Sequence, residues 1–408
     1  MKKSNFSLLL LSLACVLFIF QSCSSKKQQK GDKKMAKLVD QELDLAVKQY
    51  KEFMTNIPEN KSPRTYDSTK GKITTMGKTA WTAGFYPGTL WYLYEYSGDS
   101  AIKTEAKKQL KFIEPDQHFT GSHDIGFMMY CSFGTAYRIT QNPHYKKVLL
   151  TSAASLSTRF NDTVGAIRSW DWGEWKFPVI IDNMLNLELL CWASKNGGNQ
   201  KYIQEAKSHA NVTMKNHFRP DYSSFHVVNY DPSTGKVISK GTWQGLADTS
   251  AWARGQSWGL YGYTMMYRET KDSAYLNQAE HIAHYILTNP HLPEDMVPYW
   301  DYDSPKIPNA YRDVSAAAAM ASAFTELSQF ATTDKKAQKY KDAAKTILIS
   351  LSNPPYRCKL GEDGGFLLKH SVGSKPGGVE IDVPLIYADY YYVEALIRYK
   401  NLFINKKS

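Results

Sequence analysis

Aspartates at the start of apolar segments are the residues of this sequence that could most readily do chemistry. Asp124 lies in the stretch SHDIGF, directly after His123 and ahead of an apolar run. Five apolar runs begin at or just after an aspartate, and these are Asp124, Asp182, Asp248, Asp313 and Asp382. Aspartate is a favoured helix N-cap that suits the positive end of the helix dipole, whereas paired carboxylates serve acid/base catalysis. The pattern leaves open whether Asp124 is a cap or half of a catalytic pair.

Aromatic and neutral polar side chains cluster in the segments that lead into these runs. The candidates for ligand contact are Trp81, Trp170, Trp172, Trp175, His226, Trp243, Gln244, Trp252, Arg254, Gln256 and Trp258. Carboxylates, indole faces, one arginine and neutral hydrogen-bonding groups together are typical of a saccharide site. Neither HxH nor HExxH spacing occurs, and no Gly-rich phosphate loop is present. The sequence therefore predicts no metal and no cofactor.

Two alternating sets of helical segments must position these residues. One set is amphipathic, with apolar residues at i, i+3 and i+4, and covers residues 36–54, 101–112, 144–159, 199–216, 273–287 and 335–350. The other set is apolar nearly all round, and covers residues 82–96, 124–139, 182–194, 249–268, 313–330 and 382–401. Helices that are apolar on every side are buried. The five aspartates recur at intervals of 58, 66, 65 and 69 residues, enough for one helix pair with its loops. We predict an all-α fold, an (α/α)6 barrel of six inner and six outer helices, with an open helical solenoid as the alternative.

In such a barrel the N-termini of the inner helices meet at one mouth. Two long segments, 160–181 and 218–248, open there as well, and loops longer than about 15 residues in a compact domain are usually functional. A residue at the N-terminus of an inner helix can therefore cap that helix and also face the cleft at this mouth. The sequence predicts that the active site lies there.

The N-terminus has a composition of its own. MKKSNF is a basic segment, SLLLLSLACVLFIF is an apolar segment of signal-peptide length, and QSCSSKK follows. This cysteine resembles the acylated residue of bacterial lipoproteins, although Phe20 and Gln21 depart from the usual lipobox, so a plain signal peptide is the alternative. The predicted organisation is a lipoprotein signal peptide at 1–22, lipidation at Cys23, a flexible tether at 23–35 and a single catalytic domain at 36–408. The protein is expected to be exported and lipid-anchored at the membrane, facing the periplasm or the cell surface.

Charge and cysteine content exclude several classes of function. The net charge is +11, and seven lysines and one aspartate before residue 35 supply more than half of it. The rest of the chain has no basic run with interleaved aromatic residues, so no nucleic-acid partner is predicted, and its mild basicity favours an anionic substrate. Beyond the N-terminal segment the cysteines are Cys131, Cys191 and Cys358. None forms a CxxC pair, so neither a disulfide framework nor a thiolate zinc site is predicted.

Seven segments taken in order carry a resemblance to a known family. They are WTAGFYPG, SHDIGF, IDNMLNLELL, FH at residues 225–226, TWQG, WARGQSWGLYG and HSVGS. Together they resemble the unsaturated glucuronyl hydrolases of glycoside hydrolase family 88 over about residues 78–395. The resemblance implies hydration of the C4=C5 double bond that polysaccharide lyases leave in the uronic acid at the non-reducing end. An acid protonates C4, water adds at C5, and the product opens to release the next sugar.

The resemblance also implies roles for individual residues. Asp182 matches the general acid/base and Asp124 the second aspartate, while His123 is expected to orient its neighbour. An acid that works near neutral pH needs a pKa above the ordinary 3.9 of aspartate, and we expect the Asp124 charge to raise the pKa of Asp182. The residues that match substrate-binding positions are Trp81, His226, Gln244, Trp252, Arg254, Trp258, Ser371 and Ser374. The last two share a loop with Lys375 at the leaving-sugar subsite. Arg254 could instead anchor a loop through an aspartate.

An anionic unsaturated oligosaccharide is therefore the expected substrate, and the basic Ser/Lys loop favours one derived from a glycosaminoglycan. Functional association with polysaccharide lyases and sulfatases is expected, and membrane contact only through the lipid anchor. Three alternatives stay open. They are a non-catalytic surface glycan-binding lipoprotein, an unsaturated rhamnogalacturonyl or ulvan-type hydrolase on the same fold, and an ordinary (α/α)6 glycosidase or lyase. The presence of both aspartates argues against the first, and the ARGQ segment against the third.

Overall fold

Helices form most of the structure, a computed structural model that describes residues 33–405. The inner helices are α2 (Phe85–Ser97), α4 (Ile125–Met129) continued through a π-helical turn (Tyr130–Gly134) into α5 (Thr135–Thr140), α7 (Asn183–Lys195), α9 (Ala253–Thr270), α11 (Val314–Leu327) and α13 (Ile386–Tyr399). The outer helices are α1 (residues 33–53), α3 (Ser100–Ile113), α6 (Pro143–Ser157), α8 (Lys201–Asn216), α10 (Ser273–Thr288) and α12 (Asp334–Leu351). Every helical segment expected from the sequence is present, with ends shifted by a few residues.

The inner helices form a closed ring. Each packs against the next in chain order, and α13 packs back against α2. Every side chain of α11 is buried, in keeping with its alanine-rich sequence, whereas the outer helices bury only one face. The predicted (α/α)6 barrel is confirmed, and the open solenoid is wrong because the first and last inner helices are in contact.

Short antiparallel sheets occupy the connections that lead into the inner helices. In the described part of the chain the strands are β1 (Ser62–Asp67), β2 (Lys72–Met76), β3 (Phe160–Asn161), β4 (Ala166–Ile167), β5 (Pro178–Ile180), β6 (Val227–Tyr230), β7 (Val237–Gly241), β8 (Ser371–Ser374) and β9 (Val379–Val383). They pair as β1–β2, β3–β4, β5–β6–β7 and β8–β9. Strands this short carry little periodic signal, which is why the sequence did not predict them. They build the walls of the mouth.

Two of the five expected aspartate positions differ from the prediction. Helix α9 begins at Ala253, five residues after Asp248, whose carboxylate accepts a hydrogen bond from the backbone N–H of Thr242 at 2.9 Å. Asp382 lies on β9, where it pairs with His370 Nδ1 at 2.7 Å, and α13 begins later. Both aspartates hold loop structure at the mouth because the connections there end in hairpins and turns before the helix starts.

The predictions for the N-terminus concern residues that are largely outside the described ones. The signal peptide at 1–22 and lipidation at Cys23 lie outside them, whereas residues 33–35, assigned to the tether, form the first turn of α1. Among the described residues, no helix combines the length and apolar character needed to cross a membrane. Cys131, Cys191 and Cys358 are all free thiols.

Candidate active site

Asp124 and Asp182 stand at the N-termini of two neighbouring inner helices, α4 and α7. Each occupies an N-cap position, yet neither carboxylate accepts a hydrogen bond from its helix. Asp313, at the corresponding position of α11, does accept one from the backbone N–H of Ser315. Capping is therefore the function of Asp313 but not of the other two, whose carboxylates are directed elsewhere.

A close approach of α4 and α7 brings the two aspartates to the same side of the mouth. A Cβ at Gly126 would lie 2.5 Å from the Cα of Asn186, so only glycine allows this approach. The Asn186 side chain then accepts a hydrogen bond from the backbone N–H of Phe127 at 2.7 Å. Asn186 follows Asp182 by four residues and so lies on the same face of α7. That spacing is the signal by which Asn186, missed in the sequence analysis, could have been found.

Asp182 faces His226 across the mouth. The Asp182 Oδ2 to His226 Nε2 distance is 3.4 Å, and the two side chains are 13% and 1% exposed. Neither atom has a well-formed hydrogen-bond partner. The backbone N–H of Ile181 donates to the carbonyl of His226 at 3.0 Å, which fixes the two residues side by side. Buried polar atoms are normally satisfied, and each of these two atoms has only the other, at this long distance, to interact with.

The tautomer of His226 follows from its other nitrogen. The backbone N–H groups of Trp243 and Gln244 both point at Nδ1, each at 3.1 Å. Nδ1 must then be an acceptor, so the hydrogen-bond network assigns the proton of the neutral ring to Nε2, the atom that faces Asp182. The indole of Trp252 packs on the ring at a centroid distance of 4.6 Å. His226 is thus held with its Nε2–H directed towards the Asp182 carboxylate.

The pKa of Asp182 differs from the sequence expectation. Burial raises the pKa of this carboxyl, but His226, His123 and Arg254 together lower it more, so the pKa lies below its ordinary value. The expected raised pKa is wrong for the substrate-free site, because the donors and cations around Asp182 outweigh desolvation.

Asp124 is held by its own neighbours. Ser122 Oγ donates to Oδ2 at 2.7 Å, and His123 Nε2 lies 3.3 Å from Oδ1. His123 is buried, and its Nδ1 faces the amide of Asn186 at 3.4 Å. Burial lowers the pKa of His123, while Asp124 and Asp182 act in the opposite direction. Ser122 was not identified from the sequence, although its place two residues before Asp124 is a common position for such a contact.

Arg254 follows the second of its two predicted alternatives. Its guanidinium is buried and pairs with Asp313 Oδ2 at 3.0 Å. It also donates to the carbonyl of Val372 and, at 2.7 Å, to that of Gly373, both on β8. Only Nε is without a partner among these donors. The side chain therefore fastens β8 to the barrel, and Asp313, which the sequence analysis treated as a cap, is its counter-ion.

The HSVGS segment forms β8 and meets the site through Gln244. The Gln244 side chain donates to the carbonyl of Gly373 at 2.9 Å. Ser371 is fully buried and its hydroxyl has no hydrogen-bond partner, and its expected contact with a leaving sugar stays a prediction. Ser374 is half-buried, and its hydroxyl accepts from the N–H of Gly377 at 3.3 Å. A β-bulge between Ser371 and Val372 interrupts the regular alternation of side chains along this strand.

The three matched tryptophans take different positions. Trp81 is half-buried at the start of α2 and packs on Tyr387 at 4.9 Å. Trp252 lies against His226. Trp258 is fully buried against Phe127 and Tyr391 in the barrel core, and its expected place in the cleft lining stays a prediction. On a helix that is apolar on every side, the sequence cannot tell which face meets the cleft.

A cavity of about 580 Å³ lies along the barrel axis, towards the C-terminal ends of the inner helices. Its lining includes Glu188, Arg268, Glu326, Glu394 and Arg398, and none of Asp124, Asp182 or His226. Within residues 33–405 no group of three or more His, Cys, Asp or Glu side chains is arranged as a metal site.

Comparisons with known proteins agree on one family, although no protein-family model matches the chain. An unsaturated glucuronyl hydrolase of Formosa agariphila is 42% identical over 409 residues, covering 99% of this chain and all of that protein. The crystal structure of an unsaturated glucuronyl hydrolase specific for heparin superposes with a TM-score of 0.87, at 48% identity over 90% of this chain and 98% of that chain. A variant of the Streptococcus agalactiae enzyme, with an aspartate replaced by asparagine and complexed with dGlcA-GalNAc6S, gives a TM-score of 0.76, at 32% identity over 88% and 91%.

Proposed function

The chain belongs to the unsaturated glucuronyl hydrolases and is a glycoside hydrolase, and on that premise we propose that it hydrates the C4=C5 double bond of the terminal unsaturated uronic acid in lyase-generated glycosaminoglycan fragments. The observation that carries the proposal is the buried pair of Asp182 Oδ2 and His226 Nε2, which face each other at the mouth without a well-formed partner. Membership of the family sets aside the non-catalytic lipoprotein and the lyase. It also disfavours the rhamnogalacturonyl alternative.

Asp182 acts first as an acid and then as a base. Its carboxyl proton goes to C4, and positive charge develops at C5 and the ring oxygen. The resulting Asp182 carboxylate accepts a proton from the water that adds at C5, which regenerates the carboxyl group. The hemiketal that forms opens and releases the next sugar. The anomeric carbon is not attacked in this sequence of steps.

We propose that substrate binding favours the protonated form of Asp182. The uronate carboxylate brings a like charge towards the site, and the sugar ring excludes water from it. Both changes raise the pKa of a carboxyl group. Asp182 is thus a weak base in the free enzyme and becomes an acid only in the complex.

Asp124 holds the substrate and contributes negative charge beside Asp182. Ser122 and His123 occupy one contact to each of its oxygens, and a carboxylate can accept more than one bond per oxygen. Its side chain is 21% exposed, so sugar hydroxyls can reach it. His226, Gln244 and Trp252 form the opposite wall.

A heparin-derived fragment is the proposed substrate within the glycosaminoglycans. The heparin-specific relative is more similar to this chain than the streptococcal enzyme that was complexed with dGlcA-GalNAc6S, at 48% against 32% identity. Turnover rates on heparin and chondroitin lyase products of matched sulfation decide the point, and a faster rate on the chondroitin product would contradict it.

The function itself is tested by the ultraviolet absorbance of the conjugated double bond. The wild-type protein should abolish this absorbance in a lyase-generated disaccharide. Asp182→Asn should lose at least about 1000-fold in kcat, since it removes the group that transfers both protons. Asp342→Asn, on the exposed face of α12, is the matched control and should keep full activity. Undiminished absorbance with every unsaturated uronide, or full activity of Asp182→Asn, would refute the proposal.

We further propose that the enzyme is exported and anchored through a lipid on Cys23, where lyases supply its substrate and sulfatases act on its sulfated fragments. The basic and apolar N-terminal segments followed by QSC support this. Mass spectrometry of the mature N-terminus tests it. A diacylglycerol-modified Cys23 is expected, and an unmodified N-terminus in the soluble fraction would contradict it.

A further inference from the structure

Four tryptophans form a cluster on the lip of the mouth, outside the side chains that contact Asp182. We call it the indole wall, and it consists of Trp170, Trp172, Trp175 and Trp243. Trp170 and Trp172 are stacked, with ring centroids 4.7 Å apart and an angle of 12° between the rings. Trp243 meets Trp172 at 5.2 Å and Trp175 at 5.6 Å, in both cases edge to face. Two separate segments of the chain therefore build one aromatic surface.

The wall presents two of its rings to solvent. Trp172 is 49% exposed and Trp243 48% exposed, whereas Trp170 beneath them is only 7% exposed. Indoles bury more apolar area than almost any other side chain, and a barrel of this size has a large core in which to bury them. A pair of half-exposed, mutually packed indoles beside a cleft is the kind of apolar patch that marks a ligand surface.

Hydrogen bonds fasten both segments of the wall to the catalytic residues. The backbone N–H of Trp243 is one of the two donors to His226 Nδ1, so a single imidazole separates it from the atom that faces Asp182. On the other side, the carbonyl of Ser169 accepts from the backbone N–H of His123 at 3.0 Å. The wall thus has a fixed position relative to both aspartates.

An ion pair also ties the loop that carries Trp172 to the barrel. Arg159 Nη1 lies 2.9 Å from a carboxylate oxygen of Asp171, and this arginine is largely buried. Asp171 has a pKa below its ordinary value, chiefly through its hydrogen bond with Arg159, so the pair is ionised at neutral pH. Such a tie limits the conformations of the loop before a ligand arrives, which reduces the entropy lost on binding.

We propose that Trp172 and Trp243 are a sugar-stacking subsite for the residue that follows the first leaving sugar, an assignment that rests on the proposed function. The ring C–H groups of a pyranose pack on indole faces, and this contact requires no sulfate or carboxylate. In this proposal the first leaving sugar occupies the space next to the residues that contact Asp182, and the sugar after it meets the exposed indoles. A disaccharide ends before it reaches them, whereas a tetrasaccharide reaches them. The wall makes the enzyme prefer the longer fragments.

Steady-state kinetics on an unsaturated disaccharide and an unsaturated tetrasaccharide of the same polymer test the subsite. The double variant Trp172→Ala/Trp243→Ala should raise KM for the tetrasaccharide about tenfold, the loss expected for two aromatic contacts. Since the variant keeps the backbone N–H of residue 243 that holds His226, its KM for the disaccharide and both kcat values should stay within about twofold of wild type. Ile349→Ala, which removes an exposed apolar side chain on α12, is the matched control and should change neither. An equal change for both substrates, or none for the tetrasaccharide, would overturn the proposal.

Two further measurements separate this proposal from loop damage and from the proposed function. Trp172→Phe/Trp243→Phe keeps aromatic faces and should recover most of the tetrasaccharide affinity, which a disordered loop would not do. Calorimetric binding to Asp182→Asn reports the subsite without turnover, and the tetrasaccharide should bind about tenfold tighter than the disaccharide there. Equal binding of the two would refute the subsite even if wild-type turnover supports the enzyme. Tighter binding of the tetrasaccharide, together with no turnover by the wild-type protein, would refute the proposed function but support the subsite.

Discussion

The proton on His226 Nε2 determines the state of Asp182 before substrate arrives. Two backbone N–H groups hold Nδ1 as an acceptor, so the ring directs its own N–H at the carboxylate and stabilises the charged form of Asp182. The sequence identified both residues through family motifs. It could not give the direction of the pKa shift, because that direction depends on the contacts of the second nitrogen, which come from backbone groups that only the folded loop brings to the ring.

The pH dependence of catalysis follows from this low pKa. The pH profile of kcat/KM reports the pKa values of catalytic groups in the free enzyme, whereas the pH profile of kcat reports their pKa values in the enzyme–substrate complex. Since the acid must be protonated, activity falls as the pH rises above its pKa. The pKa of Asp182 is below its ordinary value in the free enzyme and should be higher in the complex. The decline of kcat should therefore occur at higher pH than the decline of kcat/KM, and coincident declines would contradict this account.

Asp124→Asn separates the two aspartates. We expect the variant to lose about 10²–10⁴-fold in kcat/KM, because it keeps the hydrogen-bonding shape but removes a charge beside Asp182. The pH at which kcat declines should be lower in the variant than in wild type, because the like charge that favours a protonated Asp182 is gone. A loss of activity with an unchanged pH profile would show that Asp124 only holds substrate.

At the scale of elements, the helices were predictable and the hairpins at the mouth were not. Helical periodicity extends over many residues, whereas β8 and its partners are only two to six residues long. The helix starts predicted at Asp248 and Asp382 were wrong for the same reason, since hairpins and turns lie between these residues and their helices. The burial of Trp258 and Ser371 was unpredictable for a related reason, because motifs identify a segment but not which of its faces meets the cleft.

The contact between Arg254 and Asp313 joins β8 to the barrel, and its removal should be costly. Asp313→Asn keeps an oxygen for the cap of α11 but leaves the Arg254 charge buried without a counter-ion. Removal of one partner of a buried ion pair costs about 3–5 kcal/mol. Urea denaturation should show a loss of that order in the free energy of unfolding. The control is Asp272→Asn, at the half-buried N-cap of outer helix α10, with an expected loss below about 1 kcal/mol.

On the scale of the whole molecule, the two ends of the barrel axis have different chemistry. The mouth holds the pair of Asp182 and His226, while the far end holds a network of carboxylate and guanidinium groups around the axial cavity. There Glu326 accepts from Arg268 and Arg398, each at 2.8 Å, and these helices, α9, α11 and α13, are neighbours in the ring. The network ties together the part of the barrel that closes the ring.

Acid should destabilise the barrel through Glu326. Burial raises the pKa of its carboxyl, but Arg268 and Arg398 outweigh burial and hold the pKa at about 2. A carboxyl with a pKa lower in the folded than in the unfolded state stabilises fully above the unfolded pKa, and this is lost as the pH falls towards the folded one. Unfolding at a series of pH values should therefore show that wild type is more stable than Glu326→Gln at pH 7. The difference should shrink by roughly 3 kcal/mol between about pH 5 and pH 2. A difference that is independent of pH would contradict this.

Proton transfer from Asp182 to C4 is the central step of the proposed reaction, and turnover in D₂O tests that step directly. Nuclear magnetic resonance of the product formed during the first turnovers locates the deuterium. A single carboxyl at a fixed position can deliver it to only one face of the ring. We predict one deuterium at C4, in a single configuration, together with loss of the double-bond absorbance. Deuterium in equal amounts on both faces of C4, or a released sugar that still carries the double bond, would contradict hydration by Asp182.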